Sequence, residues 1–168
     1  MSADSPLDRP AVNVPAEREG ADVIAPPPLI YIAALAVGFG LNSMLPSPSI
    51  PKAVRRSAGG VLVLAGAAFG TSFIAAFRRA RTPVDPRRPT TTIVTTGPYR
   101  VTRNPGYLGM ALIDAGIAIL TGALWIFVPL IPALILIDRG VIAREERYLE
   151  RKFGTQYALY KARTRRWL

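Results

Sequence analysis

Two stretches of this chain concentrate side chains that can do chemistry. The first reads Thr95-Thr96-Gly97-Pro98-Tyr99-Arg100-Val101-Thr102-Arg103-Asn104-Pro105-Gly106-Tyr107-Leu108-Gly109. The second is Glu145-Glu146-Arg147-Tyr148-Leu149, then Phe153-Gly154-Thr155-Gln156-Tyr157 and Tyr160-Lys161-Ala162-Arg163. Arginine forks, carboxylates and tyrosine hydroxyls recognise charged or zwitterionic ligands through charge-assisted hydrogen bonds. Among 168 residues there is no His and no Cys. Disulfides, thiolate or imidazole metal sites, cysteine nucleophiles and histidine-based triads are therefore excluded. Candidate chemistry rests on Arg103, Glu145 and Glu146, with tyrosines and main-chain groups around them, and no metal is expected. There is no phosphate-binding P-loop and no Gly-x-Ser-x-Gly. Gly38-Phe39-Gly40 is the only glycine-x-glycine; it lies in an apolar run and follows no strand, so a dinucleotide fingerprint is excluded.

The elements that position these clusters are apolar. Half of the chain is hydrophobic, 19% is charged, and the mean hydropathy is +0.26. So small a soluble domain would need more charge to solvate it. Leu29 to Leu45 and Ala58 to Phe77 carry no charge, and each is long enough to cross a bilayer. Arg55-Arg56 and Arg78-Arg79-Arg81 bracket the second, whose glycines and alanines suit close helix contact. Gly106 to Ile137 holds one charge, Asp114. As one helix it would be about 48 Å long, against a hydrocarbon core of about 30 Å. Thr121-Gly122 divides it into two spans, at about 107–121 and 123–138, with Pro129 and Pro132 in the second. From Val141 onward Ile142, Leu149, Phe153, Tyr157 and Tyr160 form one helical apolar stripe, with Gly154 as a break or tight contact. Glu145 falls on that stripe and is the better placed of the two glutamates for burial.

The expected architecture is therefore all-α: an integral membrane helical bundle of about four transmembrane helices with a C-terminal cytoplasmic helix. Residues 1–28 are polar, net acidic and proline-bearing, and read as a disordered tail without the features of a signal peptide. Residues 29–168 form the membrane domain. Thr82 to Pro105 is a proline-rich loop long enough to imply a role. With four spans, 18 basic residues share the side of both termini and three lie opposite. Positive charge accumulates on the cytoplasmic side, so both ends are placed there. That puts the two polar clusters at one membrane surface, at the two ends of a helical hairpin. The basic excess sits beside apolar spans and matches no nucleic-acid motif; membrane lipids, not nucleic acid, are the expected partner.

These clusters resemble the integral-membrane methyltransferases of the isoprenylcysteine carboxyl methyltransferase and phospholipid N-methyltransferase group. The resemblance is carried by Gly97-Pro98-Tyr99-Arg100, Arg103-Asn104-Pro105-Gly106-Tyr107-Leu108-Gly109, Glu145-Glu146-Arg147-Tyr148-Leu149 and Phe153-Gly154-Thr155-Gln156-Tyr157-Ala158-Leu159-Tyr160. It covers about Thr95 to Leu168. Asn104 stands where that group has histidine; it can hydrogen-bond but cannot titrate near neutral pH. The resemblance implies S-adenosylmethionine as methyl donor. The positions expected to hold it are Gly97, Pro98, Tyr99, Arg100, Arg103, Asn104, Pro105, Tyr107, Gly109, Glu145 and Glu146. Arg103 would pair its carboxylate and Glu145 or Glu146 its ammonium or ribose hydroxyls. Methyl transfer depends on in-line positioning and desolvation, and needs no strong base when the acceptor is a carboxylate or thiolate. A lipid-like or prenylated small acceptor is implied, the isoprenylcysteine carboxylate being most similar; a phospholipid amine, a small thiol and another lipid-like carboxylate remain open. A non-catalytic protein that keeps the fold and a nicotinamide-dependent reductase are the competing classes.

Helix geometry adds one expectation independent of the resemblance. Asp114 lies seven residues after Tyr107, two turns along the same face and about 10 Å deeper. A carboxylate at that depth is costly and should face the bundle interior or a wet cavity. Asp114 is therefore expected on the acceptor side, and Tyr157, Tyr160 and Arg163, in the motif-bearing C-terminal stretch, are the other positions expected there.

Overall fold

The computed structural model describes residues 24–82 and 90–168. The expected tail falls almost wholly on 1–23, and part of the proline-rich loop on 83–89; both lie outside the described residues. Among the described residues there are helices and no strand. They are α1 (Pro27–Met44), α2 (Lys52–Arg79), α3 (Pro105–Thr121), α4 (Leu124–Phe153) and α5 (Thr155–Arg163), with a 3₁₀ turn at Gly97–Arg100 before α3. The helices α1, α2 and α4 are each long and apolar enough to cross a membrane; α3 is apolar but shorter, about 25 Å. The protein is an integral membrane helical bundle.

The chain turns where backbone chemistry allows it. Pro26 precedes α1, and Pro27 and Pro105 open α1 and α3, where a missing N–H costs no helical bond. At the end of α3 Gly122 adopts φ +76°, the left-handed conformation that closes a helix, and α4 starts two residues later. The 106–137 stretch is thus two helices joined by a tight turn. Gly154, at φ +50°, separates α4 from α5, so the expected stripe from Ile142 to Tyr160 is carried on two helices.

One boundary differs from the sequence expectation. The helix that carries the fourth apolar stretch does not end near residue 138; α4 continues to Phe153, and the apolar stretch and the polar helix after it are one element. Asp138, Arg139 and Gly140 look like a helix end, but the backbone passes them as a π-helical turn, Ile137–Ile142. A wider turn absorbs an extra residue without breaking the axis. Beyond Ile142 α4 becomes highly charged, so residues 143–153 project from the membrane-spanning part.

The bundle is held by small residues and a buried apolar core. Gly66 and Gly109 bring α2 and α3 together: a Cβ on Gly66 would lie 2.6 Å from the Gly109 carbonyl oxygen. Two turns away Gly59 and Gly116 repeat the contact, a Cβ on Gly116 falling 2.9 Å from the Gly59 oxygen. Small residues let backbones approach where apolar lipid gives helices little reason to associate. The core joins Tyr31 of α1 to Leu130, Ile137, Val141 and Ile142 of α4.

At the end remote from the polar clusters, Arg55 Nε and Nη2 donate to the Leu120 carbonyl at 3.0 and 2.8 Å. Ser47 Oγ donates to Gly122 O, and Trp125 Nε1 to Pro46 O. Arg55 therefore sits at the C-terminus of α3, where the helix dipole and open carbonyls favour a cation. That contact accounts for one of the three basic residues on the less basic side.

Candidate functional site

The site is built at the other end, where α1 begins, α2 ends, α3 begins and α4 leaves the apolar layer. Its first wall is the segment 97–107. Gly97 takes φ +62° and starts the 3₁₀ turn that carries Pro98, Tyr99 and Arg100. The Tyr99 ring packs against Phe77 and Phe73 of α2, with centroids 5.9 and 6.4 Å away. Burial, with the charge of Glu145 adding, raises the Tyr99 hydroxyl well above its ordinary value, so it stays a neutral phenol. Pro105 is fully buried at the start of α3, and Arg100 is exposed.

The second wall is the polar extension of α4. Tyr107 donates its hydroxyl hydrogen to Glu145 Oε1 at 2.6 Å, and its carbonyl accepts the Tyr31 hydroxyl at 3.0 Å. Three helices thus meet at one tyrosine. Burial pushes the Glu145 carboxyl up to about 7; the Tyr107 hydrogen bond pulls it down, and the neighbouring Glu146 raises it. Glu145 is surrounded by protein yet keeps partial accessibility.

Glu146 is the more enclosed glutamate, 5% exposed, although the apolar stripe favours Glu145. Arg103 Nη2 donates to Glu146 Oε1 at 2.8 Å, and Arg166 Nη2 to Oε2 at 2.6 Å. Burial raises its carboxyl, but the hydrogen bonds from Arg166 and Arg103 outweigh burial and hold it below the usual range. Neither Arg147 nor Arg151, one and five residues further along the same helix, takes this place. Arg166 also reaches Asp138 at 3.1 Å, and Trp167 Nε1 donates to Asp138 Oδ1 at 2.9 Å. Trp167 therefore uses its indole N–H within the protein and packs on the core.

These contacts fasten the C-terminal segment to the first wall. Arg103 N donates to Arg165 O, and Thr102 Oγ1 and Asn104 Nδ2 both donate to Arg166 O at 2.9 Å. Arg103 Nη1 reaches the Lys161 and Thr164 carbonyls. Tyr160 donates to the Tyr99 carbonyl at 2.8 Å and meets Tyr157 edge-on, with Tyr157 only 2% exposed. Both tyrosines pack α5 onto the site, and burial raises both hydroxyls.

The structure brings together Tyr99, Arg103, Asn104, Tyr107, Glu145, Glu146 and Tyr160. Gly109 instead faces α2 at the glycine seam, and Arg163 is exposed on the last turn of α5. Asp114 is 3% exposed, turned into the bundle, with Oδ2 unpartnered among the described residues. Sequence reasoning did not single out Thr102, Asp138, Arg166 or Tyr31. Thr102 and Arg166 lie inside the motif-bearing and basic stretches, but Tyr31 carries no local signal; its partner is 76 residues away.

The cluster offers donors and acceptors suited to a zwitterion. Arg103 Nε is buried and has no hydrogen-bond partner among the described residues. An uncharacterized protein of Haemophilus influenzae is 40% identical over 62 residues, which is 37% of this chain and 98% of that protein. No solved structure matches the chain. A family model for phospholipid methyltransferases matches residues 54–156, a span that takes in both glycine seams, the Tyr107–Glu145 pair and the Arg103–Glu146 pair. The chain belongs to the phospholipid methyltransferase family and is a membrane methyltransferase.

Proposed function

We propose that the protein transfers a methyl group from S-adenosylmethionine to a lipid-like acceptor at the membrane surface. The observation that carries this is the convergence, at one end of the bundle, of the Tyr107–Glu145 hydrogen bond with the Arg103–Glu146 pair inside the matched family segment. When bound, S-adenosylmethionine supplies a methyl group on a positively charged sulfur. Glu145 accepts hydrogen bonds from the ammonium or the ribose hydroxyls, and Arg103 Nε donates to the carboxylate. Gly97, Pro98 and Pro105 offer main-chain groups to the adenine, with Tyr99 and Phe77 excluding water. The chain orients two reactants and removes solvent; it needs no general base when the acceptor arrives as a carboxylate or thiolate.

Asp114 and the tyrosines of α5 stand on the acceptor side. The motif pattern is most similar to enzymes acting on an isoprenylcysteine carboxylate, and the family name adds a phospholipid amine as the other acceptor class. The charge asymmetry supports both termini, and the site with them, on the cytoplasmic side.

The test is calorimetric titration of the full chain in detergent with S-adenosylmethionine, followed by labelled methyl transfer into membrane extract and mass spectrometry of the product. Saturable binding and a labelled lipid support the reading. A methylated amine headgroup and a methyl ester of a prenylated cysteine separate the two acceptors. Absence of binding with a folded protein overturns it, and protection by NADPH instead would mark a reductase.

A further inference from the structure

The first helix takes part in the site although the family match, residues 54–156, begins after it. From Pro27 to Leu41 it carries one side chain able to hydrogen-bond, Tyr31. Tyr31 is 2% exposed and shares a buried cluster with Leu130, Ile137, Val141 and Ile142 of α4. Its hydroxyl donates across to α3, to the Tyr107 carbonyl at 3.0 Å. That carbonyl belongs to the first turn of α3 and has a second lone pair to offer beyond its helical bond. Tyr31 therefore holds both partners of the Tyr107–Glu145 contact. On one side it fixes the backbone of Tyr107. On the other it packs in one cluster with Ile142, which stands three residues before Glu145 on the same face of α4.

We propose that Tyr31 is a positioning residue, which sets the first turn of α3 against α4 so that the Tyr107 hydroxyl meets Glu145. It acts through Tyr107 and not on a ligand. The contact it serves is 2.6 Å long. A site group must be held within about 0.5 Å of its working geometry by residues that are themselves locked by packing and hydrogen bonds. The chain entering α3 is tied from the side of the C-terminal segment, where Thr102 Oγ1 and Asn104 Nδ2 donate to the Arg166 carbonyl. Tyr31 supplies the tie from α1. A phenylalanine would fill the same space in the core, so the hydroxyl is the part that the site uses. The consequence for methyl transfer rests on the function proposed above; the effect on Glu145 does not.

The test follows the Glu145 carboxyl in the ligand-free full chain in detergent, by carbon NMR of labelled glutamate, with Glu145→Gln assigning the signal. Glu146 beside it, Tyr107 on α3, Tyr99 in the 3₁₀ turn and Tyr157 on α5 lie within its electrostatic reach, and Tyr31→Phe removes none of them. The Tyr107 hydrogen bond favours the carboxylate, so loosening it moves the titration midpoint to higher pH. Tyr31→Phe should therefore raise the midpoint, by less than Tyr107→Phe does. In a Tyr107→Phe chain it should add nothing, because the two act on one contact. Affinity for S-adenosylmethionine at pH 7 should fall about 2- to 5-fold in Tyr31→Phe, the lower part of the range for one hydrogen bond. Ser47→Ala is the matched control. It removes one side-chain bond to a carbonyl at the other end of α3, Gly122 O at 3.0 Å, and should leave midpoint and affinity at the parent's values. An unchanged midpoint in Tyr31→Phe overturns the proposal. So does a full further shift in the Tyr107→Phe chain, or an equal shift in Ser47→Ala. A raised midpoint in a chain that binds no S-adenosylmethionine would keep Tyr31 in its positioning role and overturn the methyl-donor reading alone.

Discussion

Tyr107 on the first turn of α3 donates its hydroxyl hydrogen to Glu145 of α4 across 2.6 Å, and the two residues are 38 positions apart in the chain. The contact fixes the orientation of Glu145, while Arg103 and Arg166 beside it pair with Glu146 and Asp138.

That relationship gives a pH signature. Burial pushes Glu145 up to about 7, against the pull of Tyr107. If Glu145 holds the cofactor's ammonium, it does so as the carboxylate, so affinity is present above that value and lost as pH falls through it. Tyr107→Phe removes the hydrogen bond that favours the charged form. The acid limb should move to higher pH, and affinity at pH 7 should fall by roughly 10-fold or less, about 1 kcal/mol. Calorimetry from about pH 6 to 8 reads both curves, above which the ligand's own amino group begins to lose its proton. Superimposable curves would remove Glu145 from the cofactor site.

Glu146 should behave as a structural group. Its partner Arg103 has a side chain only 9% exposed, and the pair ties α4 to the segment that anchors the C-terminus. Glu146→Gln leaves a buried guanidinium without its counter-charge, a change that costs about 3–5 kcal/mol in buried pairs. The melting temperature should drop, and amides of 164–168 should exchange faster. The pH dependence has a definite sign. Because the folded-state carboxyl is held below its unfolded value, the stabilisation is complete above the ordinary carboxylate range and is lost as pH falls through the lowered value. An unchanged melting temperature with weakened cofactor binding would instead place Glu146 on the ligand.

Asn104→His should be tolerated. Asn104 Nδ2 donates to the Arg166 carbonyl, and a neutral imidazole N–H can make the same bond. Methyl transfer should stay within a few-fold of the parent, and Asn104→Leu should lose about 0.5–1.5 kcal/mol of stability, the scale of one hydrogen bond, because Thr102 Oγ1 keeps the second bond to that carbonyl. A folded but inactive Asn104→His would show that the site is shaped differently from the related enzymes.

The reach of the sequence follows from the range of each interaction. Apolar runs and glycines with positive φ are local, so the helices, the Gly122 turn and the Gly154 break are legible in it. The passage of α4 through Asp138-Arg139-Gly140 is not, because a π turn contains no residue that marks it. Motif spacing points to Tyr107, Arg103 and both glutamates, but not to who pairs with whom. Arg103 meets Glu146 across 43 positions and Arg166 meets it across 20, and those distances are set by the path of the bundle. The glycine seam takes Gly109 away from the site for a similar reason: its partner, Gly66, lies on another helix.

Asp114 is the remaining group with chemistry unspent. It is buried within α3, and Oδ2 has no hydrogen-bond partner among the described residues. Tyr31 of α1 lies within its electrostatic reach, and Tyr31 donates to the Tyr107 carbonyl, so Asp114 stands below the Tyr107–Glu145 contact on the same side of the bundle. A lone carboxyl at this depth costs about 2.5–3.5 kcal/mol to insert, which a useful contact with a donor group on the acceptor would offset. Asp114→Asn keeps the volume and removes the acid. It should leave the fold and the dissociation constant of S-adenosylmethionine unchanged, and raise the acceptor's KM roughly 10-fold or alter which acceptor is methylated, the scale of one charge-assisted hydrogen bond. Kinetics on purified lipid acceptors, normalised to folded protein, provide the measurement. A fall in melting temperature with unchanged kinetics would assign Asp114 to holding α1 against α3 and would remove it from the acceptor path.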